Sequence, residues 1–338
     1  MTLWKPRLRA LLAASVAAAG AIAWAQPATA ATPLPRYSIS GDYVAGVSSG
    51  AAMATQLQVA YSAKFKGAAV FSGPPYYCAQ DNALRGTNAC ASNVWSDQLS
   101  TLESDTSTWA TQGLIDPTSN LSNKPVWVYH GIYDSTVQAS VVGDTVSYFN
   151  HFGASTTYNS TTASGHAWIS PLGPNPCSVT QSPFINNCGY DAEHDFLTKF
   201  FGSVNAPNNG TLTGTLAAFD QNQYSPGGSA PLLSLDNYGY TYVPSSCAGG
   251  ASCRLLVALH GCLQSYSYVG FTFVADSYLE QYADTNNMVV LFPQVIQTSP
   301  NPNACWDWWG YAASDGNYAQ KAGKQMTAIV NMVTALGG

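Results

Sequence analysis

The pentapeptide Gly-Val-Ser-Ser-Gly at 46–50 limits the possible fold of this chain more than any other feature. It fits Gly-x-Ser-x-Gly, a sharp turn between a strand and a helix that exposes the serine oxygen at the top of a sheet. Residues 43–45 predict a strand before the turn, and the Ala-, Met-, Gln- and Leu-rich segment 51–61 favours a helix after it. A chain with 29 glycines can produce the pattern by chance, so it carries weight only in this strand–turn–helix context. The context makes Ser48 a candidate nucleophile.

Strand patterns, apolar except for the polar, β-prone segment 155–161, alternate with helical segments along the rest of the chain. Further strands are predicted at 67–71, 125–129, 155–161, 255–259 and 288–292. Helices are predicted over 136–152 and at the C-terminus, where Met326, Ile329, Val330 and Val333 share one face. This alternation predicts a parallel sheet with crossover helices. Residues 202–250 are rich in Asn, Gly, Ser, Thr and Tyr, which is typical of hairpins or of a linker.

Two further residues complete a candidate catalytic set. Asp134 follows the predicted strand 125–129, and His166 follows the β-prone segment 155–161. The order Ser, Asp, His along the chain, with each residue after a strand, is that of α/β-hydrolases. Ser48 would attack an ester carbonyl, His166 would take and return its proton, and Asp134 would orient the imidazole.

The acid of this set has two competitors in the sequence, Asp116 and Asp144, but only Asp134 closes an apolar strand. An isolated Asp in a loop is more often a turn residue. The other histidines are expected to pack at a strand end or to lie at structural or surface positions: His130, His151 and His194.

An oxyanion hole needs two backbone donors, and the sequence offers them far apart. The N–H of Ser49, directly after the nucleophile, is one. The second is usually found after an earlier strand, in a loop that often begins His-Gly. Here the His-Gly pair follows the strand 255–259, so the donor would be Cys262. We therefore expect a circularly permuted α/β-hydrolase fold in a single domain, a mostly parallel sheet flanked by helices, in which 202–250 supplies the opening strands.

Several segments together give the chain a resemblance to a known family. They are Val44–Met53, His130-Gly131 with Asp134, Gly165–Trp168, Leu259–Gln264 and Asn303–Trp306. The chain resembles the single-domain, circularly permuted extracellular polyhydroxybutyrate (PHB) depolymerases over essentially all of 37–338. The resemblance implies hydrolysis of poly(3-hydroxybutyrate) to monomer and short oligomers. It also implies Trp306 as a wall of the substrate cleft, and the nearby aromatic residues could contact an apolar polyester: Trp308, Trp309 and Tyr311.

Two other functions stay open at this point. The same fold and residues would suit a secreted carboxylesterase for soluble or plant-wall esters, such as acetyl or feruloyl esters. A non-catalytic polymer-binding protein could also retain the fold, although a complete catalytic set argues against it.

Composition and the N-terminus indicate an exported protein. Residues 1–30 read as a signal peptide, with a basic start, an apolar run over 10–23 and small-residue cleavage sites after Ala25 or Ala30. The remainder, 31–338, is expected to be the catalytic domain, without a separate substrate-binding domain. The net charge of −6 gives no basic surface for nucleic acid, and no later stretch could span a membrane. We expect a secreted monomer that acts on solid polyester.

The eight cysteines all follow the predicted signal peptide, and export favours disulfides between them. Sequence does not fix the connectivity, but neighbouring positions suggest Cys78–Cys90, Cys177–Cys188, Cys247–Cys253 and Cys262–Cys305. No Cys-x-x-Cys pair occurs and the five histidines lack ligand spacing, so neither a metal nor another cofactor is expected.

Overall fold

A mixed sheet runs through the part of the chain that the computed structural model describes, residues 33–312 and 316–338. The strands in chain order are β1 Ile39–Val47, β2 Phe65–Phe71, β3 Pro125–Tyr129, β4 Ser155–Asn159, β5 Trp168–Ile169, β6 Asn175–Pro176, β7 Ile185–Asn187, β8 Thr215–Asp220, β9 Tyr238–Val243, β10 Cys253–Leu259 and β11 Met288–Phe292. The main sheet has the order β4-β3-β2-β1-β10-β11-β9-β8, and β5, β7 and β6 form a small second sheet. The predicted signal peptide lies outside the described residues.

The pairing confirms a mostly parallel sheet. From β4 to β11 every neighbouring pair is parallel, and at the other edge β9 pairs antiparallel with both β11 and β8. β8 and β9 come from the polar segment 202–250, and β9 pairs with β11. That segment is therefore part of the sheet rather than a linker, as expected.

Helices cover both faces of the sheet. They are α1 Ser49–Ala60, α2 Ala83–Asn88, α3 Leu99–Thr111, α4 Ala139–His151, α5 Ala192–Phe201, α6 Ser245–Ala248, α7 Tyr266–Val269, α8 Thr272–Asp276, α9 Leu279–Asn286 and α10 Lys324–Leu336, with 3₁₀ turns at Thr118–Leu121, Gln221–Gln223, Pro226–Gly228 and Pro231–Leu233. Successive residues of a strand point to opposite faces, so Val44 packs in the core with α1, α4 and α10, and Ala45 in the core with α5 and α9. Burial on both faces explains the uninterrupted apolar runs 255–259 in β10 and 288–292 in β11. No helix among the described residues has the length and apolarity that a membrane span requires.

The two ends of the described chain meet. The N–H of Tyr37 donates to the carbonyl of Leu336 at 2.8 Å, beside the start of β1. Circular permutation requires neighbouring termini, so this contact is compatible with the permutation, which stays a prediction.

Four disulfides join the pairs that neighbouring positions suggest: Cys78–Cys90, Cys177–Cys188, Cys247–Cys253 and Cys262–Cys305. The first three close loops of 6 to 12 residues, and the fourth closes one of 43. Within 33–312 and 316–338 no cluster of three or more His, Cys, Asp or Glu side chains could hold a metal ion.

Candidate active site

Ser48 stands in a strained turn between β1 and α1. Its backbone has φ 58° and ψ −119°, a conformation that a residue with a side chain rarely adopts. The turn is held because the Ser48 N–H donates to the carbonyl of Phe71 at 2.9 Å and the Ser48 carbonyl accepts from Ala52 at 3.0 Å. This is the geometry that the Gly-x-Ser-x-Gly pattern predicts.

The two glycines of the pattern are required by close backbone contacts. A Cβ atom on Gly46 would lie 2.2 Å from the carbonyl oxygen of Gly50. A Cβ atom on Gly50 would lie 2.2 Å from the carbonyl oxygen of Leu259, the last residue of β10. Gly46 therefore lets the turn close tightly, and Gly50 lets the end of β10 approach the turn, which brings the loop after β10 next to Ser48.

Asp134 and His166 form a buried pair. The Nδ1 atom of His166 lies 2.7 Å from Oδ2 of Asp134 and donates to it. The second oxygen, Oδ1, accepts the backbone N–H groups of Thr136 and Val137 at 2.9 and 3.1 Å. Burial alone would raise the pKa of Asp134, but the hydrogen bonds from His166 and Val137 outweigh it and lower that pKa. The carboxylate is therefore charged at neutral pH and fixes the proton of His166 on Nδ1, which leaves Nε2 as a base.

The loop around His166 is fixed by contacts that sequence analysis did not find. The backbone N–H of His166 donates to Oγ1 of Thr180 at 2.8 Å, and that of Gly165 donates to the carbonyl of Cys177 at 2.9 Å. The disulfide from Cys177 to Cys188 ties this supporting segment to β7. A lone threonine in a polar loop carries no sequence signal for such a role.

Ser48 and His166 line one cleft of about 390 Å³. Both predicted oxyanion residues, Ser49 and Cys262, line it as well, whereas Asp134 lies behind His166. The remaining walls are mostly apolar: Val47, Pro74, Thr87, Cys90, Ala91, Thr136, Val137, Thr180, Phe184, Gly261, Leu263, Gln264, Asn303 and Trp308.

The loop after β10 leaves one backbone N–H group without an acceptor among the described residues. The carbonyl of His260 accepts the indole N–H of Trp306 at 3.0 Å, and the N–H of Gly261 donates to Oε1 of Gln264 at 2.7 Å. The carbonyl of Gly261 lies 2.7 Å from Nδ1 of His260. The N–H of Cys262 finds no acceptor among the described residues, and it belongs to the peptide whose carbonyl is already bound. It is therefore available to a ligand.

The second available donor belongs to the elbow. Ser49 is the first residue of α1, and its N–H likewise has no acceptor in the described part of the chain. A Cβ atom on Gly261 would lie 3.4 Å from Cβ of Ser48, so the two loops touch at the nucleophile. The disulfide from Cys262 to Cys305 holds the loop after β10 in place. Fixed N–H donors of this kind stabilise a developing oxyanion without reorganisation.

His260 is fully buried below that loop. Burial lowers its pKa to about 4, so the imidazole is neutral at neutral pH. Its Nε2 atom accepts the N–H of Val295 at 3.4 Å, which leaves the proton on Nδ1 to donate to the carbonyl of Gly261. The tautomer thus follows from the hydrogen bonds on both nitrogens.

Trp306 is not a wall of the cleft, contrary to the sequence-based expectation. Its side chain has no exposed surface, and its indole N–H is bound to the carbonyl of His260. Its backbone N–H donates to Oγ of Ser49 at 3.3 Å, so it packs between the elbow and the loop after β10. The tryptophan that lines the cleft is Trp308, while Trp309 packs on Tyr311 with ring centroids 4.6 Å apart.

The other aspartates and histidines that the sequence analysis considered lie outside the cleft. His130 is buried and its Nε2 lies 2.9 Å from the carbonyl of Val137, as expected of a residue that packs at a strand end. Asp116 accepts the N–H of Ala63 at 2.8 Å and pairs with Lys321. None of these side chains reaches the described cleft, and the same holds for Asp144, His151 and His194.

A doubly covered, mostly parallel sheet with a nucleophile elbow at its centre defines an α/β-hydrolase. A scan against models of protein families gives no match. Two curated proteins are similar over nearly the whole chain. The poly(3-hydroxybutyrate) depolymerase of Delftia acidovorans is 40% identical over 329 residues, which are 95% of this chain and 65% of that protein. The polyhydroxybutyrate depolymerase of Talaromyces funiculosus is 38% identical over 339 residues, 94% of this chain and 96% of that protein.

Solved structures agree with the curated relatives. The PHB depolymerase from Penicillium funiculosum matches with a TM-score of 0.83 and 36% identity, over 90% of this chain and 98% of that one. A variant PHB depolymerase complexed with an R3HB trimer matches equally well. The chain belongs to the polyhydroxybutyrate depolymerase family, which confirms the resemblance. It spans 65% of the Delftia protein, less than two thirds of that relative's length.

Proposed function

We propose that this chain hydrolyses poly(3-hydroxybutyrate) to monomer and short oligomers by acyl-enzyme chemistry. The observation that carries the proposal is the hydrogen bond between Asp134 and His166 at the cleft that also holds Ser48. An ionised acid, an oriented imidazole and a hydroxyl that opens to the cleft are the three groups that serine ester hydrolysis requires.

The proposed reaction has two halves. Oγ of Ser48 bonds to the ester carbonyl carbon while Nε2 of His166 takes the hydroxyl proton, and the carbonyl oxygen becomes an oxyanion. The oxyanion re-forms the carbonyl, the bond to the leaving alcohol breaks, and His166 returns the proton to that alcohol. Water then repeats the attack on the acyl-enzyme and releases the acid. In both halves the N–H groups of Ser49 and Cys262 receive the oxyanion.

A polyester substrate fits the walls of the cleft. Most lining side chains are apolar, and none carries a charge apart from the catalytic His166 when it is protonated. The relatives named above are PHB depolymerases, and one solved relative binds an R3HB trimer. The apolar lining is compatible with this polyester, and the relatives support poly(3-hydroxybutyrate) over acetyl or feruloyl esters.

Two assays with the same protein test this function. Wild type should clear a turbid suspension of polyhydroxybutyrate granules and hydrolyse p-nitrophenyl butyrate, and Ser48→Ala should do neither. A fluorophosphonate should label wild type at Ser48. Hydrolysis of short esters without clearing would contradict the polymer assignment and favour a soluble-ester esterase. Absence of both labelling and turnover would leave a polymer-binding protein.

We further propose that residues 31–338 form the catalytic unit of a secreted, circularly permuted monomer. The four disulfides support an oxidising compartment, and the contact of Tyr37 with Leu336 supports the permutation. Expression of the full chain in its exporting host should yield an extracellular protein whose first residue is Gln26 or Ala31. Retention in the cell with residues 1–30 intact would contradict this.

A further inference from the structure

Gln264 is a buried side chain whose three hydrogen bonds all go to backbone groups of two loops. It is 1% exposed. Its Oε1 accepts the N–H of Gly261 at 2.7 Å, and its Nε2 donates to the carbonyls of Pro183 and Phe184 at 3.0 Å each. The amide therefore joins the loop after β10, which carries Cys262, to a segment about 80 residues away.

The second of these loops supports the catalytic base. The carbonyl of Phe184 also accepts the N–H of Trp168 at 2.9 Å, two residues after His166. Phe184 and Gln264 both line the cleft. Through one side chain, the backbone before Cys262 is thus joined to the backbone beside His166.

Only an amide can make this set of contacts. One acceptor and two donors are needed at once, and among side chains of this length glutamine alone supplies them. A carboxylate would face two carbonyl oxygens, and an apolar chain of equal size would leave the N–H of Gly261 and the carbonyl of Pro183 unpaired. Nothing in the reaction written above uses Gln264, because it neither exchanges a proton nor contacts the scissile bond.

We propose that Gln264 is a positioning residue that sets the N–H of Cys262 at the distance from Ser48 and His166 that the transition state requires. The proposal rests on the proposed esterase function. Its physical basis is that oxyanion donors act through their placement, so a small displacement weakens binding of the tetrahedral state more than binding of the ester.

The experiment compares Gln264→Met with a matched control, Gln221→Met. Gln221 is also fully buried, and it too accepts one backbone N–H, from Gln294 at 3.0 Å, and donates to two carbonyls, those of Asp236 and Gln294, at 2.7 and 2.9 Å. It does not line the cleft. Both variants should unfold at lower temperature. The fraction of folded enzyme is counted by fluorophosphonate titration, so that turnover is expressed per active site.

For Gln264→Met, kcat on p-nitrophenyl butyrate should fall about 10- to 100-fold, less than the roughly 10²–10³-fold cost of deleting an oxyanion donor, with KM changed by less than about threefold. Butylboronic acid forms a tetrahedral adduct with the serine, and its Ki should rise by the same factor as kcat falls. Gln264→Glu restores the acceptor and, when protonated, one donor, and should recover part of kcat. Gln221→Met should leave kcat and Ki unchanged.

Equal kcat and Ki for Gln264→Met and Gln221→Met would overturn the proposal, because the amide would then be a structural contact only. A rise in the KM of Gln264→Met with an unchanged kcat would also overturn the proposal, since that pattern indicates a loss of ground-state binding. Absence of turnover by wild type would overturn the esterase function and this inference with it, so the two failures are distinguishable.

Discussion

At the scale of single residues, the charged and neutral states of two buried groups decide how the site works. Asp134 is held ionised and His260 is held neutral, although both are almost completely buried. The difference follows from their partners, since Asp134 receives hydrogen bonds from His166 and the backbone, while His260 has only neutral backbone partners. The first fixes the proton of His166 on Nδ1, and the second fixes the peptide that carries the N–H of Cys262.

Asp134→Asn should lower kcat on soluble ester about 10⁴-fold, because an amide favours the wrong imidazole tautomer. The control is Asp116→Asn, which changes a buried carboxylate that pairs with Lys321 outside the cleft. That variant should lose stability but keep kcat per folded molecule. Steady-state kinetics with active-site titration measures both. A larger loss of kcat in Asp116→Asn would reassign the catalytic acid.

His260 should make the fold sensitive to acid. Its pKa in the folded state is about 4, below its ordinary value of 6.5, so between these values the unfolded chain binds more protons than the folded one. The free energy of unfolding therefore falls as pH falls through this window, by up to about 3 kcal/mol from this residue. Urea unfolding at pH 7 and pH 4.5 measures the loss.

His260→Gln removes the titrating group and should lose less stability between these two pH values than wild type. His151→Gln is the control, because its side chain is 49% exposed. NMR of the wild-type imidazole should show His260 neutral down to pH near 4. Equal acid losses in wild type and His260→Gln, or a His260 that titrates near 6.5, would contradict the assignment.

At the scale of elements, local pattern was sufficient for the elbow and insufficient for what lies around it. The places of Ser48 and Asp134 could be predicted because each follows a strand whose apolar run is visible in the sequence, and that of His166 because it follows the polar, β-prone segment 155–161. The same reasoning placed Cys262 at the cleft. Trp306 was misplaced because its burial depends on the carbonyl of His260, 46 residues away, which no local pattern records.

The role of segment 202–250 also could not be decided from local sequence pattern alone. Its polar composition fits a linker as well as a hairpin, and only the pairing of β9 with β11 decides between them. Gln264 and Thr180 were missed for a related reason. Their partners are backbone groups of distant loops, and a backbone group leaves no trace in the identity of the residue that carries it.

Gly50→Ala tests the contact between two elements at the elbow. Alanine normally stabilises a helix by up to about 1 kcal/mol relative to glycine. At Gly50 the added Cβ would lie 2.2 Å from the carbonyl oxygen of Leu259, so β10 and the loop after it must shift. We expect a loss of about 1–3 kcal/mol in the free energy of unfolding together with reduced kcat.

The control is Gly143→Ala in α4, where an added Cβ has no neighbour within 4 Å. It should raise the free energy of unfolding by up to about 1 kcal/mol without affecting kcat. Thermal and urea unfolding of the two variants give the comparison. A stabilised and fully active Gly50→Ala would show that the elbow tolerates the displacement and that the close approach is not needed.

At the scale of the whole molecule, many of the exposed large apolar side chains of the described residues lie close in sequence to residues that line the cleft. Seven of them lie within four residues along the chain of a cleft-lining residue, and we call these seven the apolar rim: Leu84, Val94, Trp95, Ile132, Tyr133, Tyr266 and Tyr268. Only 9% of the residues in the chain are charged. A surface with few charges loses little hydration when it meets an uncharged solid, and its apolar groups gain by burial.

The double variant Val94→Ser, Trp95→Ser should therefore bind polymer granules more weakly and hydrolyse soluble ester normally. These side chains are 72% and 45% exposed, so their removal should change stability by less than about 0.5 kcal/mol. Burial of one such side chain against the polymer contributes about 1.5–3 kcal/mol, which predicts at least a tenfold loss of granule affinity.

Leu216→Ser is the control, because Leu216 is 38% exposed on β8 at the sheet edge and away from the cleft. Sedimentation of granules with bound protein gives the affinity, and p-nitrophenyl butyrate gives the intact chemistry. Equal granule affinity in the two variants would mean that polymer contact does not use this part of the rim, whereas loss of both affinity and soluble-ester turnover would place the rim within the reaction cleft itself.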